Sequence, residues 1–248
     1  MMDQAAIKEM TGRKAVEALV KDGMKLGLGT GSTAIPAVRH VGALLAAGKL
    51  KGILAVPTSF QTSIECEKLG IPLYSLNSRE IGGVLDLSID GADEVDPQNR
   101  LIKGGGGALL LEKIVAYASS SYAVVVDESK LNRSLGAKFP IPVEVVPDAR
   151  IPVTRALEKL GAEVTLREAL RKAGPVITDR GNILLDIRFA AAGDPSLLEA
   201  EINRIPGVVE NGLFTEFAAR AIPLKIFIGR SDGSLEVRAG GEKSGQAH

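Results

Sequence analysis

Apolar residues recur at helical spacing through residues 4–21, where Ile7, Met10, Ala15, Leu19 and Val20 fall on one face. The pattern then becomes a short continuous apolar run over 24–28, which predicts a buried strand ending in Gly29-Thr30-Gly31-Ser32-Thr33. A helix over 34–47, a strand over 53–56 and a helix over 58–69 follow, with Gly70 placed as a C-terminal cap. A strand over 84–89 runs directly into Asp90-Gly91-Ala92-Asp93-Glu94. The glycines at 104–107 lead into a helix over 108–119, and 122–126 reads as a further strand. Short apolar strands alternating with helices predict a parallel sheet covered on both faces.

Around Lys138-Phe139-Pro140-Ile141-Pro142 the texture changes. The next elements read as strand 143–146, helix 150–160, strands 162–166 and 183–187, helix 195–204 and strand 208–214. That βαββαβ order is the ferredoxin-like split unit. Strands at 224–228 and 235–237 flank Ser231-Asp232-Gly233-Ser234, a hairpin signal, and are expected to return to the first sheet. The expected fold is therefore α/β: a Rossmann-like parallel-sheet domain (1–138 and 215–239) with an inserted ferredoxin-like α+β domain (139–214). The polar stretch 240–248 is expected to be a disordered tail.

Composition narrows the chemistry. A chain of 248 residues with 45% hydrophobic content can bury a substantial core. Aromatic residues make up 4% with no Trp, which leaves no stacking platform for single-stranded nucleic acid. Thirty Lys+Arg balance thirty Asp+Glu, so no basic excess exists to neutralise a nucleic-acid backbone, although one small phosphate needs only a local patch. Neither nucleic acid nor membrane is an expected partner, because no apolar run approaches the roughly 20 residues of a spanning helix. Cys66 is the single cysteine and the N-terminus lacks a signal-peptide core, so a cytoplasmic location is expected. The only histidines are His40, inside a helical pattern, and His248, at the end of the tail, so no His/Cys metal site is expected. Proton chemistry must then rest on carboxylates and lysines.

Four motifs carry candidate chemistry. Gly29-Thr30-Gly31-Ser32-Thr33 joins a strand to a helix, where free N–H groups and the positive dipole end suit a phosphate. It also fits a plain strand–helix turn with a Ser/Thr cap. It lacks both the Gly-Lys-Ser/Thr of a P-loop and the third glycine of a dinucleotide turn. Asp90-Gly91-Ala92-Asp93-Glu94 puts acids at a strand's carboxyl end, where open α/β sheets bind ligands. It lacks calcium-loop spacing, but could equally be a solvated acidic turn. Lys103-Gly104-Gly105-Gly106-Gly107 keeps four glycines that each disfavour regular structure by ~1 kcal/mol relative to Ala, as close approach to a ligand or a flexible linker would require. Glu112 lies in the helix beyond it, beside Lys113. Asp127-Glu128-Ser129-Lys130 follows another strand, and Lys130 read alone is an ordinary surface lysine.

Together the four fall at successive strand ends or helix starts of one predicted sheet, all opening on one edge. A phosphate cradle, carboxylates and lysines are the inventory for aldose–ketose isomerisation. A carboxylate abstracts the proton beside a carbonyl, and cations or N–H donors stabilise the enediolate oxygen.

GTGST, DGADE, LIKGGGGALLLEKI and DESK, in this order and spacing, resemble ribose-5-phosphate isomerase of type A, as do KFPIPVEVVP and IPGVVENGLF. The resemblance runs from about residue 5 to about 214. It implies metal-free, cofactor-free interconversion of D-ribose 5-phosphate and D-ribulose 5-phosphate in the pentose phosphate pathway, by a homodimer or homotetramer. It also implies site roles. Glu112 is the general base; Asp90 and Asp93, with Gly91 and Ala92 between them, handle ring opening and hydroxyl protons. Lys103, Gly104, Gly105 and Gly106 hold the substrate and the enediolate. Thr30, Gly31, Ser32 and Thr33 form the substrate-binding turn, and Lys130 adds a cation. Two stretches depart from the family pattern: Leu111 stands where Arg is frequent, and TEFAARAIPLKIFIG is unlike the usual small-residue return strand. A sugar-phosphate deaminase or a CoA transferase is the nearest other enzyme class on such a scaffold, but a deaminase is expected to need a catalytic histidine. A sugar-phosphate-sensing regulator would need a DNA-binding helix-turn-helix, for which the roughly 20 residues before the first strand leave no room.

Overall fold

The computed structural model describes residues 2–190 and 193–240. In chain order the first half holds α1 (Gln4–Leu19), β1 (Lys25–Leu28), α2 (Gly31–Ala46), β2 (Leu54–Pro57), α3 (Phe60–Lys68), β3 (Leu87–Gly91), β4 (Glu94–Val95), β5 (Leu101–Ile102), α4 (Leu109–Tyr117) and β6 (Tyr122–Asp127). The second half holds β7 (Ile141–Val145), α5 (Arg150–Lys159), β8 (Ala162–Leu166), β9 (Ile183–Phe189), α6 (Pro195–Asn203), β10 (Val208–Asn211), β11 (Leu213–Phe214), β12 (Leu224–Gly229) and β13 (Leu235–Gly240). Single 3-10 turns lie at Glu128–Lys130 and Pro147–Ala149. Local chemistry sets the helix ends. Asp3 accepts the Ala6 N–H at 2.7 Å and Ser59 accepts the Thr62 N–H at 3.2 Å, satisfying donors that a helix start leaves unpaired. Gly70, at φ +66, ends α3 in a conformation that other residues seldom adopt.

The chain separates into two compact units. The first comprises residues up to Gly91, Leu111–Lys130 and residues from Glu216 onward. Its six-stranded sheet has the order β13-β12-β6-β3-β1-β2, with β2, β1, β3, β6 and β12 parallel and β13 antiparallel to β12. Leu26, Leu28, Ile89, Ala123 and Val125 pack with Ala15, Val38 and Cys66 from α1, α2 and α3 in one core cluster. Val56 points to the opposite face from its neighbour Ala55, and joins Ile81, Leu85 and Val115 of α4. Cys66 is fully buried, and burial pushes its thiol up to about 12.

The second unit comprises Ala92–Leu110 and Leu131–Thr215. Its antiparallel sheet runs β10-β7-β9-β8, the order of a ferredoxin-like βαββαβ unit. Val153 and Leu157 of α5 and Leu198 and Ile202 of α6 pack on Val143, Val145, Leu185 and Ile187. A three-stranded sheet, β11-β5-β4, belongs to the same unit. The contacts divide the chain differently from the expected boundary at 138/139, grouping 92–110 and 131–138 with the second unit. The reason is pairing: β4 and β5 bond to β11 and not to the six-stranded sheet.

Several elements differ from their expected bounds. β3 starts three residues and ends two residues later than the expected strand, so Asp90 and Gly91 are within the strand rather than beyond it. The helix expected from 34 begins at Gly31. The strand expected over 208–214 breaks at Gly212, where a side chain would lie 2.3 Å from the Lys103 carbonyl oxygen and 2.6 Å from Pro142 Cδ. The atypical C-terminal segment does return to the first sheet: β12 pairs with β6 from Leu224↔Tyr122 to Gly229↔Asp127. Its bulk is accommodated because Phe217 stacks on Tyr122, ring centroids 4.9 Å apart, and meets Tyr117 edge-on at 5.4 Å. Of the expected tail, Gly240 pairs with Leu224 and 241–248 lie outside the described residues. Among the described residues no helix is long and apolar enough to cross a membrane.

Helix α1 approaches α2 through Gly12, where a Cβ would stand 2.8 Å from the Ala37 backbone nitrogen and 3.1 Å from Pro36 Cβ. Gly12→Val is expected to lower unfolding free energy by about 1–3 kcal/mol through overpacking. Urea unfolding checks this: the midpoint should fall with the slope unchanged, and an unaltered midpoint contradicts the close approach.

Candidate active site

All five parallel strands of the first unit end on one edge. The sheet order changes direction between β1 and β3, since β2 lies beyond β1 on one side and β6 beyond β3 on the other. Doubly wound sheets bind ligands at such a switch point, outside the carboxyl ends of the strands. There Gly29 and Asp90 meet. The Gly29 N–H donates to the Ile89 carbonyl at 2.9 Å. A side chain at Gly29 would come 2.2 Å from Asp90 Oδ1 and 2.6 Å from Asp90 Cα, so only glycine fits. The Asp90 carboxylate is 0% exposed, and its Oδ1 accepts the Thr30 N–H at 3.0 Å and the Gly91 N–H at 2.7 Å. Charge-assisted bonds of this kind contribute about 1.5–3 kcal/mol each, which offsets part of the cost of taking the carboxylate out of water.

The four turn residues have separate places. Thr30 faces inward: its hydroxyl donates to Ser59 Oγ at 2.7 Å and lies 2.7 Å from Thr58 Oγ1 and 3.1 Å from Thr62 Oγ1. Thr62 in turn donates to the Gly29 carbonyl at 2.7 Å. This hydroxyl cluster ties the turn to the start of α3. Gly31, at φ +88, donates its N–H to Gln61 Oε1 at 2.9 Å. Thr33 is buried, while Ser32 is exposed and accepts a hydrogen bond from Lys8 Nζ at 2.9 Å. Ser32 in the first turn of α2 and the Lys8 ammonium thus present a hydroxyl and a positive charge together, beside the positive end of a 16-residue helix. Sequence reasoning missed Lys8, Thr58, Ser59, Gln61 and Thr62. The one trace of Lys8 was Gly12, one helical turn further on, which marks the face of α1 that approaches α2.

Glu112 sits in the first turn of α4. The far end of α4 returns to the amino end of β3, where the Leu85 N–H donates to the Ala118 carbonyl at 2.9 Å. Its first turn is therefore on the carboxyl edge. Glu112 and Lys113 are 5% and 3% exposed, so neither stands on a solvated helix face. Leu111, the departure from the family pattern, packs against the cluster of Val56, Ile81, Leu85 and Val115. On the other flank of β3, Asp127 ends β6 and accepts from the Ser129 N–H at 3.0 Å, the Ser129 hydroxyl and Gln4 Nε2 at 3.3 Å. Burial alone would raise the Asp127 carboxyl, but these bonds and the Lys130 charge outweigh it and hold it below the usual range. Asp127 thereby fixes the 3-10 turn that carries Lys130.

Asp93, Glu94, Lys103 and the glycine run belong to the second unit. Beyond Ala92, the Asp93 N–H donates to the Ile102 carbonyl at 2.8 Å and its Oδ2 accepts the Gly105 N–H at 2.7 Å. Asp93 and the glycine run are thus joined directly. Glu94 is a different kind of acid. It is buried and accepts N–H bonds from Gly136, Lys138 and Phe139, each at 2.7 Å, so it clips a loop. Lys103 is 2% exposed, with Nζ 5.8 Å from the Phe214 ring centroid, and its N–H donates to the Gly212 carbonyl at 2.9 Å. Gly104 has φ +104 and no room for a side chain beside Leu109 and Pro142; Gly105 and Gly106 are exposed. The run is a fixed turn rather than a linker, closed by the Gly107 N–H on the Gly104 carbonyl at 3.0 Å.

His40 lies on α2, its Nε2 3.7 Å from Glu17 Oε1, and burial lowers its pKa. Among the described residues no group of three or more His, Cys, Asp or Glu is placed to hold a metal ion.

A doubly wound sheet with an anion-type turn at its switch point and acids at neighbouring strand ends defines an α/β enzyme acting on a small anionic substrate. Residues 54–233 match the family model of ribose 5-phosphate isomerase A (phosphoriboisomerase A). The chain is 54% identical to ribose-5-phosphate isomerase A of Treponema denticola, over 95% of this chain and 99% of that one. It is 49% identical to the Treponema pallidum protein of the same name, over 96% and 94%. Among solved structures it is similar to ribose 5-phosphate isomerase A from Methanocaldococcus jannaschii, with TM-score 0.87 and 43% identity over 95% and 99% of the two chains. It is also similar to a D-ribose-5-phosphate isomerase in complex with phospho-erythronic acid, with TM-score 0.89 and 38% identity over 96% and 99%. The chain belongs to the ribose 5-phosphate isomerase A family, aldose–ketose isomerases that interconvert ribose 5-phosphate and ribulose 5-phosphate.

Gly29→Ala is expected to push a methyl group into the Asp90 carboxylate and break its bond with the Thr30 N–H. The expected cost is about 1–3 kcal/mol of stability, with a raised KM because the turn shifts. Urea unfolding and steady-state kinetics on ribose 5-phosphate check this; a variant unchanged in both would show that the turn is not seated on Asp90.

Proposed function

We propose that the chain converts D-ribose 5-phosphate to D-ribulose 5-phosphate by proton transfer through an enediolate, with Glu112 as the base. The observation that carries this reading is the withdrawn Glu112 carboxylate in the first turn of α4, on the same sheet edge as the turn at 30–33 and Asp90. Family membership supports the choice of sugar.

The substrate phosphate is held at residues 30–33. Ser32 and the N–H groups that follow it at the start of α2 supply donors, and Thr30, Thr33 and Gly31, whose own N–H is held by Gln61, keep the turn in shape. Lys8, bonded to Ser32, and Lys130 add positive charge, because a phosphate dianion needs cations as well as dipoles. Asp90 and Asp93, with Gly91 and Ala92 between them, serve ring opening and hydroxyl protons. Once the aldehyde is exposed, Glu112 takes the proton from carbon 2, and the electron pair moves to make the enediolate. Lys103 and the N–H groups of Gly104 and Gly106 stabilise the charge that develops on oxygen, while the Gly105 N–H holds Asp93 in place. Glu112 returns its proton to carbon 1, and a proton passes from the hydroxyl oxygen on carbon 2 to that on carbon 1. No atom is gained or lost.

The reading extends to the whole protein. It acts in the cytoplasm within the pentose phosphate pathway, without metal or organic cofactor, and as a homodimer or homotetramer. The single buried cysteine and the balanced charge of the chain support that setting.

The test follows ketose formation from ribose 5-phosphate with EDTA present. The wild-type protein is expected to turn over, and Glu112→Gln is expected to lose about 10²–10⁴ in kcat while retaining a cooperative melt. Absence of wild-type turnover would sink the functional reading; near-wild-type kcat in Glu112→Gln would remove Glu112 as base.

A further inference from the structure

The run 104–107 has no side chains with which to fix its own peptide planes, yet the chemistry assigned to it requires N–H groups aimed at one place. The planes are set from outside. Arg167, just beyond β8, donates from Nη1 to the Gly104 carbonyl at 2.8 Å and to the Gly105 carbonyl at 3.3 Å. Its other edge is held by Asp186 of β9, through Nε to Oδ2 at 2.8 Å and through Nη2 to Oδ1. Asp186 is opposite Thr165 in the β8–β9 ladder, so the pair is anchored in a paired sheet.

In a trans peptide the C=O and N–H point in opposite directions. The peptide linking Gly104 to Gly105 is gripped at both ends: its carbonyl accepts from Arg167 and its N–H donates to Asp93 at 2.7 Å. The peptide linking Gly105 to Gly106 gives its carbonyl to Arg167, which turns the Gly106 N–H to the opposite side. Arg167 and Asp186 side chains are 15% and 20% exposed, and a pair this withdrawn costs desolvation that its attraction only partly offsets. A guanidinium can meet a carboxylate with one edge and two carbonyls with the other; an ammonium cannot.

We propose that Arg167, braced by Asp186, is a positioning residue for isomerisation. It orients the Gly106 amide that stabilises the enediolate, and it sets the carboxylate of Asp93 through the Gly104–Gly105 peptide they share. This rests on the reading that residues 103–106 hold the reacting end of the sugar phosphate. The pair touches no substrate atom and acts through the loop.

The experiment compares Arg167→Ala, Arg167→Lys and the double variant Arg167→Met/Asp186→Leu with wild type on ribose 5-phosphate, with thermal melts alongside. Both single variants are expected to lose about 10–100-fold in kcat. KM is expected to stay within about threefold of wild type, because the phosphate turn is untouched. Guanidinium ion, added below the onset of unfolding, is expected to restore part of kcat in Arg167→Ala and to leave wild type unaffected. The double variant removes both charges and is expected to recover the melting temperature without recovering kcat. A kcat for Arg167→Ala within about twofold of wild type, while Glu112→Gln is inactive, overturns the positioning role and leaves the functional reading standing. A double variant whose kcat returns with its melting temperature also overturns it, since the pair would then be only structural. A wild-type protein without turnover overturns both.

Discussion

A carboxylate taken out of water must be met by donors, and at the carboxyl end of β3 the donors are the chain's own amides. Asp90 accepts from the N–H groups of Thr30 and Gly91, and Gly29 presses so closely on it that no side chain can intervene. This arrangement joins the ends of β1 and β3 at the point where the sheet order reverses. The turn that follows β1, the start of α2 and the exposed Ser32 all take their positions from it. Breaking it would leave a buried charge without partners, which is among the costlier changes available to a folded chain.

The acids of Asp90-Gly91-Ala92-Asp93-Glu94 are divided by what surrounds them. Asp90 is buried against a turn, Glu94 is consumed by three loop amides, and Asp93 is tied to the glycine run. Like chemistry in sequence becomes three roles because each carboxylate meets different backbone amides: those of Thr30 and Gly91, of Gly105, and of Gly136, Lys138 and Phe139. The same logic runs through the glycines. Gly29, Gly104 and Gly105 are required by close approach, the last against Asp93, while Gly106 is exposed. Backbone, more than side chain, carries the polar work of these segments, and it needs external braces such as the Thr58, Ser59 and Thr62 hydroxyls on one turn and Arg167 on the other.

Much of this was legible in the sequence. Hydrophobic patterning marked every helix and all but the shortest strands, as an apolar face in the helices and as short continuous apolar runs in strands buried on both sides. The ferredoxin-like order and the return of the C-terminal strands followed from the same signal. β4 and β5 escaped because two residues carry no period, and the break between β10 and β11 because Gly212 is pinched by Lys103 and Pro142, which lie far away in sequence. Site motifs were visible as polar clusters at strand ends. Their division of labour was not, since Thr30 facing inward and Glu94 clipping a loop depend on tertiary neighbours. Lys8, Gln61 and Arg167 sit in unremarkable local sequence, and only packing brings them to the loops they serve.

In the proposed reaction a protein carboxylate carries a proton between two carbons of the sugar. Turnover of ribose 5-phosphate in deuterium oxide, followed by NMR, tests it most directly. Solvent deuterium is expected at carbon 1 of ribulose 5-phosphate and, on reversal, at carbon 2 of ribose 5-phosphate, because a proton held on a carboxylate exchanges before it is returned. Product that keeps its original hydrogen through complete equilibration would mean direct transfer between the carbons, with no carboxylate carrying the proton.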